Sequence, residues 1–164
     1  MPLVGFDCEG TLTIDGFAMN RPAWAVTGDD SGRGGLLPLW FKFDQRGEDR
    51  LLPNAAGVIP YPRRTTVTRH DLRILVVGDV DAAGAPSATP KATLQNNLSA
   101  IVNAVVNPPG GTTGTRTAVL TLAAGVKTGP IHVIGFEPDQ YFLADDVTIL
   151  EGTLQISIPS GRLV

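Results

Sequence analysis

Asp7 and Glu9 stand two residues apart in Gly5–Phe6–Asp7–Cys8–Glu9–Gly10–Thr11–Leu12, at the end of the apolar piece Leu3–Phe6. Paired carboxylates after an apolar strand are the first arrangement in this chain that suggests chemistry. The other reactive side chains are sparse. His70 and His132 are the only histidines and Cys8 is the only cysteine. A thiolate- or histidine-rich metal site therefore lacks donors, and no intramolecular disulfide can form. His70 lies in Arg69–His70–Asp71, where it is expected to face solvent or a neighbouring subunit. His132 sits in an alternating segment and is expected to be a structural histidine. Asp79–Val80–Asp81 and Asp29–Asp30 offer carboxylates to calcium. An EF-hand loop needs oxygen ligands at fixed alternate positions around an obligatory glycine, and neither segment supplies them. Both read as turns that keep carboxylates in water. The glycine-rich stretches Pro109–Thr115 and Gly125–Gly129 lack P-loop spacing and read as loop or hairpin tips. No Gly-x-Ser-x-Gly elbow is present.

The Asp7–Leu12 stretch resembles the first motif of haloacid-dehalogenase-type phosphatases, an apolar strand followed by Asp-x-Asp-Gly-Thr. That resemblance would make Asp7 the nucleophile and Glu9 the general acid/base. Three features oppose it. Glu9 is a methylene longer than aspartate, a displacement beyond the roughly 0.5 Å that catalytic constellations tolerate. Thr11–Leu12–Thr13–Ile14 alternates polar and apolar and runs into the turn pair Asp15–Gly16. A strand and a hairpin or corner are thus expected where that family needs a helix. The rest of the chain also lacks alternating strands and helices. No catalytic residue, cofactor or metal is expected.

One charged cluster remains: Arg46, Glu48, Asp49, Arg50, Arg63, Arg64 and Arg69. It is either a solvated face or an intersubunit surface. Arginine's planar fork pairs bidentately with carboxylates and is favoured at interfaces. Both signs interleaved within Arg46–Arg50 suit pairing between identical neighbours in a ring. Trp40, Phe41 and Phe43 lie just upstream, beside proline- and glycine-rich segments that cannot build a core. Apolar patches of that sort mark interaction sites. The expected subunit interface is therefore Trp40, Phe41, Phe43, Arg46, Glu48, Asp49, Arg50, Arg63 and Arg64.

The elements that must position these residues follow from periodicity. Ala23–Thr27 is a short apolar piece, and 28–35 is polar and glycine-rich, a loop. Leu36–Phe43 contains Pro38 and is expected as an edge strand or extended arm. Pro53, Pro60 and Pro62 leave little regular structure expected across 45–64. Thr65–Val77 is the longest β-type run, alternating through Val67, His70, Leu72 and Ile74 and continuously apolar at Ile74–Val77. A helix is expected over about 90–106, with Thr89 as N-cap and Pro90 at its first position. Leu94, Leu98, Ile101, Val102, Val105 and Val106 form its apolar face, with Gln95, Asn96, Ser99 and Asn103 opposite. Strands are expected at Arg116–Leu122, Gly129–Glu137 and Val147–Ile158, the last with Leu150, Gly152, Leu154, Ile156 and Ile158 on one face.

The 164 residues include 19 glycines and 13 prolines with no repeat, the habit of a turn-rich β domain. The reading is mainly β (α+β): an antiparallel β-barrel or sandwich with one packed helix. It is expected to be one domain over 1–164, with an N-terminal arm (1–20) and an extended loop (28–65). The net charge of −3 opposes phosphate-backbone binding. No apolar stretch reaches the ~18 residues of a membrane span. The N-terminus lacks a basic region and a long apolar run, so folding in a cytoplasm is expected.

Several segments, in order, resemble a recurring block in small structural tail proteins of actinobacterial siphophages. These are Arg46–Gly47–Glu48–Asp49–Arg50–Leu51–Leu52–Pro53, Ala56–Gly57–Val58, Pro60–Tyr61–Pro62–Arg63–Arg64 and Gly78–Asp79–Val80–Asp81. Leu94–Leu98, Gly114–Leu120, Gly129–Val133 and Ile156–Arg162 continue the likeness. The resemblance implies a domain like that of distal tail and tail-tube proteins. It also implies a ring, hexameric by family habit, at the tube or its distal, baseplate end. Its partners would be further copies and neighbouring tail proteins: tube subunit, tape measure and baseplate hub. The chain would be assembled in the host bacterial cytoplasm and end in the virion. Head-to-tail joining, a tail-terminator ring or a host-binding tip module are the alternatives.

Overall fold

The computed structural model describes residues 10–29, 36–41, 45–46, 50–51, 58–59, 64–107, 114–141 and 143–164, with the backbone alone at 29, 41, 45–46, 50–51, 58–59 and 64–65. In chain order come β1 (Gly10–Ile14), β2 (Phe17–Ala18), β3 (Trp24–Asp29), the short helix α1 (Pro38–Phe41), β4 (Gln45–Arg46), β5 (Arg50–Leu51), β6 (Val58–Ile59) and β7 (Arg64–Thr65). They are followed by β8 (Thr68–Val77), helix α2 (Pro90–Ile101) with a π-helical turn at Val102–Val106, β9 (Arg116–Leu122), β10 (Gly125–Pro138) and β11 (Ile149–Ile158).

Seven strands form one antiparallel sheet in the order β2-β1-β9-β10-β11-β8-β3. It curls into a half-barrel, so the fold is mainly β with few helices, as the residue pattern implied. The first hairpin is local chemistry. Ile14 pairs with Phe17 across Asp15–Gly16, and both turn residues have positive φ, 49° and 80°. A type I′ turn requires this, and Asp and Gly tolerate it. The strand and turn that oppose a phosphatase motif after Glu9 are thus present. Of the segment expected as an arm (1–20), residues 10–20 are built into the fold: Leu12, Ile14 and Met19 are buried in the core. Asp7, Cys8, Glu9 and the piece Leu3–Phe6 lie outside the described residues.

The half-barrel is closed by side chains rather than by a ladder. β2 and β3 are the two edge strands of the sheet. The Trp24 ring stacks on Phe17 with centroids 5.5 Å apart and planes 7° from parallel. The indole N–H donates to the Ala18 carbonyl at 3.1 Å, and the Arg21 guanidinium lies 6.0 Å from the ring centroid.

β8 runs between β11 and β3, and its buried residues alternate through Thr68, His70, Leu72, Ile74 and Val76, with Val77 buried as well at its end. Val67 is 54% exposed and lies out of that phase. A one-residue error of phase exchanges the two faces of a strand. His70, expected at solvent, shares the phase of Leu72 and Ile74 and is only 3% exposed; the charged neighbours Arg69 and Asp71, not its phase, pointed to solvent. His132 departs the other way: on β10, Ile131 is buried and His132 faces out.

Leu36–Phe43 was expected as an edge strand or extended arm; Pro38–Phe41 within it is helical, and residues 42–43 lie outside the described residues. Pro38 opens α1, where its missing N–H is harmless. Leu36 and Leu39 sink into the core, and the Leu163 N–H donates to the Leu39 carbonyl at 3.0 Å. β3 extends to Asp29, past the start of the expected loop.

α2 begins where expected, at Thr89 and Pro90, but the Thr89 side chain makes no capping bond. Ser87 Oγ instead accepts from the Thr89 N–H at 3.0 Å and meets Thr93 Oγ1 at 2.6 Å. The buried line is Leu94, Asn97, Ile101 and Val105, while Leu98, Val102 and Val106 are half-buried. The helix is rotated because Asn97 is drawn inward. Its Nδ2 donates to the Val77 carbonyl at 2.8 Å and the Val80 carbonyl at 3.0 Å, satisfying acceptors at the end of β8. Burying an amide costs little once it is hydrogen-bonded.

Gly78 allows this approach of helix to strand. A Cβ there would collide with the Pro90 carbonyl oxygen and lie 2.9 Å from Leu94 Cβ. Backbone cannot step aside as a flexible side chain can. Gly78→Ala is expected to cost about 2 kcal/mol, in the range of overpacked cores. Gly114→Ala, with nothing within 4 Å of the new methyl, should stay within about 0.5 kcal/mol of the parent. Urea unfolding of the pair checks this, and equal midpoints would contradict the steric account.

Candidate assembly surface

The expected interface residues fall mostly on an excursion between α1 and β8. Its described backbone forms two nested antiparallel ladders. Gln45 and Arg46 pair with Thr65 and Arg64, and Arg50 and Leu51 pair with Ile59 and Val58. Among the described residues, each ladder is its own two-stranded sheet and pairs with no strand of the half-barrel. The described backbone between Gln45 and Thr65 is therefore paired antiparallel where little regular structure was expected. Phe43, Glu48, Asp49 and Arg63 lie outside the described residues, as do the side chains of Phe41, Arg46, Arg50 and Arg64.

Trp40 is the one residue of the expected interface whose side chain is described. It is half-buried on α1 and packs against the protein's own core. Lys127 Nζ lies 5.3 Å from its ring centroid. Cation–π contact with a lysine from β10 thus adds to its packing against the core.

Two further features were missed from sequence. Arg73, on the outer face of β8, joins the ends of β10 and β11. Its Nη1 and Nη2 reach the two oxygens of Asp139 at 3.2 and 2.7 Å, Nη2 reaches Glu151 at 2.7 Å, and Nη1 reaches Thr153 Oγ1 at 3.1 Å. Hydrogen bonds to Asp139, then Glu151, raise the guanidinium's pKa above its ordinary value. Both terminal nitrogens of the guanidinium are engaged in this network.

The second feature is an open apolar groove of about 260 Å³ between α2 and the β10–β11 connection, lined by Leu98, Val102, Phe136, Pro138, Tyr141 and Leu143. Leu98 and Val102 read as core positions in the sequence. The rotation of α2 about Asn97 turns them toward this groove instead.

Chemistry beyond binding is thinly represented. Asp81 accepts backbone N–H bonds from Ala83 and Ala85, both at 2.9 Å, so its carboxylate holds its own turn. Among the described residues no three His, Cys, Asp or Glu side chains converge on a metal-sized site. No helix among them is long and apolar enough to cross a membrane.

A curled antiparallel sheet with few helices defines a mainly β domain. No family profile and no curated protein matches the chain. Among solved structures it is similar to the Dit protein of phage SPP1, described as a paradigm of the hub adsorption apparatus in phages that infect Gram-positive bacteria. The TM-score is 0.56 at 11% identity, over 93% of this chain and 50% of that one. The chain thus spans half the length of that protein, and what the two share is the fold.

Proposed function

We propose that this chain is a structural subunit of a phage tail, assembling as a ring at the tail tube or its distal, baseplate end. The observation that carries the reading is the fold shared with a tail-hub protein over 93% of the chain. The arm adds to it: among the described residues its short ladders pair with no strand of the half-barrel, which suits them to clasping a neighbour. Six copies per ring is the number the siphophage resemblance implies. Further copies and adjoining tail proteins are the partners, and the virion is the final location.

Native mass spectrometry of the purified chain, together with immunogold labelling of phage particles, tests this. A closed oligomer and gold on the tail are the expected results. A monodisperse monomer at high concentration, with no label on tails, would overturn the reading.

A further inference from the structure

We propose that the outer face of β1, β9 and the first half of β10 is a pairing surface for the same face of a second copy. This goes beyond the ring reading, because a two-fold contact joins copies in pairs and closes on itself. Cross-strand register places the residues. Thr11, Thr121 and Val126 stand in one row across β1, β9 and β10, and Thr13, Val119 and Thr128 stand in the next. Thr117 and Pro130 form a third. The alternate residues Leu12, Ile14, Ala118, Leu120 and Ile131 lie in the core, so these rows face outward. Thr13 and Val119 are half-buried and the rest are exposed, Val126 by 59%.

No residue of the three rows carries a charge. The outer face of the other half of the sheet is different, with Arg69, Asp71 and Arg73 on β8 and Glu151 on β11. That segregation selects the occupant. A charged partner would lose hydration over threonine and valine and find no counter-charge there. Small and β-branched side chains in register suit sheet-on-sheet packing, with the sheets about 10 Å apart. The neutral half therefore matches itself and not the charged half.

The rim fixes the orientation. Asp15 is exposed at the β1 side of the third row, where its N–H donates to the Thr117 carbonyl at 2.9 Å. At the opposite side, Val164 and Thr128 exchange backbone hydrogen bonds of 2.9 and 3.1 Å, which sets the exposed Arg162 beside Pro130. A two-fold axis running along the strands between β9 and β10 lays the acidic side of one copy over the basic side of the other. It also sets Thr121 of one copy opposite Val126 of the other. Strands about 5 Å apart and rows about 7 Å apart give roughly 400 Å² of face per copy. That is the small, transient class of interface, so pairing should depend on concentration.

Sedimentation velocity over a concentration series, with native mass spectrometry, tests the contact. One variant carries Thr121→Glu with Val126→Glu, and the other Thr121→Lys with Val126→Lys. Both sites are exposed, and circular dichroism establishes that the variants are folded. The parent is expected to form paired species that dissociate on dilution. Each variant alone should pair at least tenfold more weakly, because like charges then meet across the axis. Mixing the two should restore pairing as mixed species, since carboxylates then face ammonium groups. Variants that pair like the parent, or a mixture that stays unpaired, overturn the contact. A parent that forms a single ring and no doubled species also overturns it but leaves the ring reading standing. A parent that pairs without ever forming a ring supports the contact and fails the ring reading.

Discussion

Replacing Arg116 by methionine should destabilise the protein by about 3 kcal/mol at neutral pH, the scale of breaking a buried ion pair on one side. Arg116 is 6% exposed and joins three elements. Its Nη1 donates to Asp15 Oδ2 at 2.8 Å, tying β9 to the β1–β2 turn. Its Nη2 donates to the Val105 carbonyl at 2.9 Å, and Nη1 reaches the Ala104 carbonyl at 3.4 Å, capping the end of the helix. Methionine matches the stem but leaves those acceptors without a donor. Asp15 also accepts from the Thr117 N–H at 2.8 Å. That bond, then the one from Arg116, hold its pKa below the ordinary carboxylate value. A lowered pKa in the folded state means stability that is complete above the unfolded value near 4. It is lost as pH falls through the folded value. Denaturant titrations at pH 7 and pH 3 should therefore show the gap between parent and variant narrowing in acid. A gap unchanged or wider at pH 3 would remove the Asp15 pair from the account.

Trp24→Ala should cost about 4 kcal/mol, a typical loss for a large aromatic deleted from a core. For a domain of this size that is a fall in melting temperature of roughly 10 °C. The indole is 1% exposed and spans the gap between the two edge strands. Trp24→Phe keeps a ring against Phe17 but strands the Ala18 carbonyl, so it should cost only about 1 kcal/mol. Amide exchange separates closure from mere cavity formation. In Trp24→Ala, the Met19 N–H, bonded to the Leu12 carbonyl at 2.9 Å, should lose protection before the amides of β8 and β11. Uniform loss of protection would mean that the stack does not serve as the clasp.

Much of the fold was legible in local pattern. Asp15–Gly16 can adopt a turn that most residue pairs resist, and Pro90 favours one place to start a helix. Strand β11, with Leu150, Gly152, Leu154, Ile156 and Ile158 on one face, is written in period two. β9 has the bounds expected of it, and β8 begins three residues later than the run that suggested it. Each of these depends on neighbours within a few positions. The binding surface was less legible. The arm was recognisable from its arginines and prolines, but its ladders pair residues up to twenty positions apart. The groove was hidden because Leu98 and Val102 have the same period as true core residues.

Local propensity thus determined which segments are strands, where the helix starts and that the fold is mainly β. Long-range packing decided which face each strand buries, because that depends on what lies above it. His70 points inward and His132 outward for this reason, and Asn97 is buried because two carbonyls of other elements needed its amide. α1 is helical because Leu36 and Leu39 find the core and the chain end bonds to it. β1 lies beside β9, over a hundred residues later. No local pattern encodes contacts between segments that distant. They follow from the shape in which all the apolar faces can be covered at once.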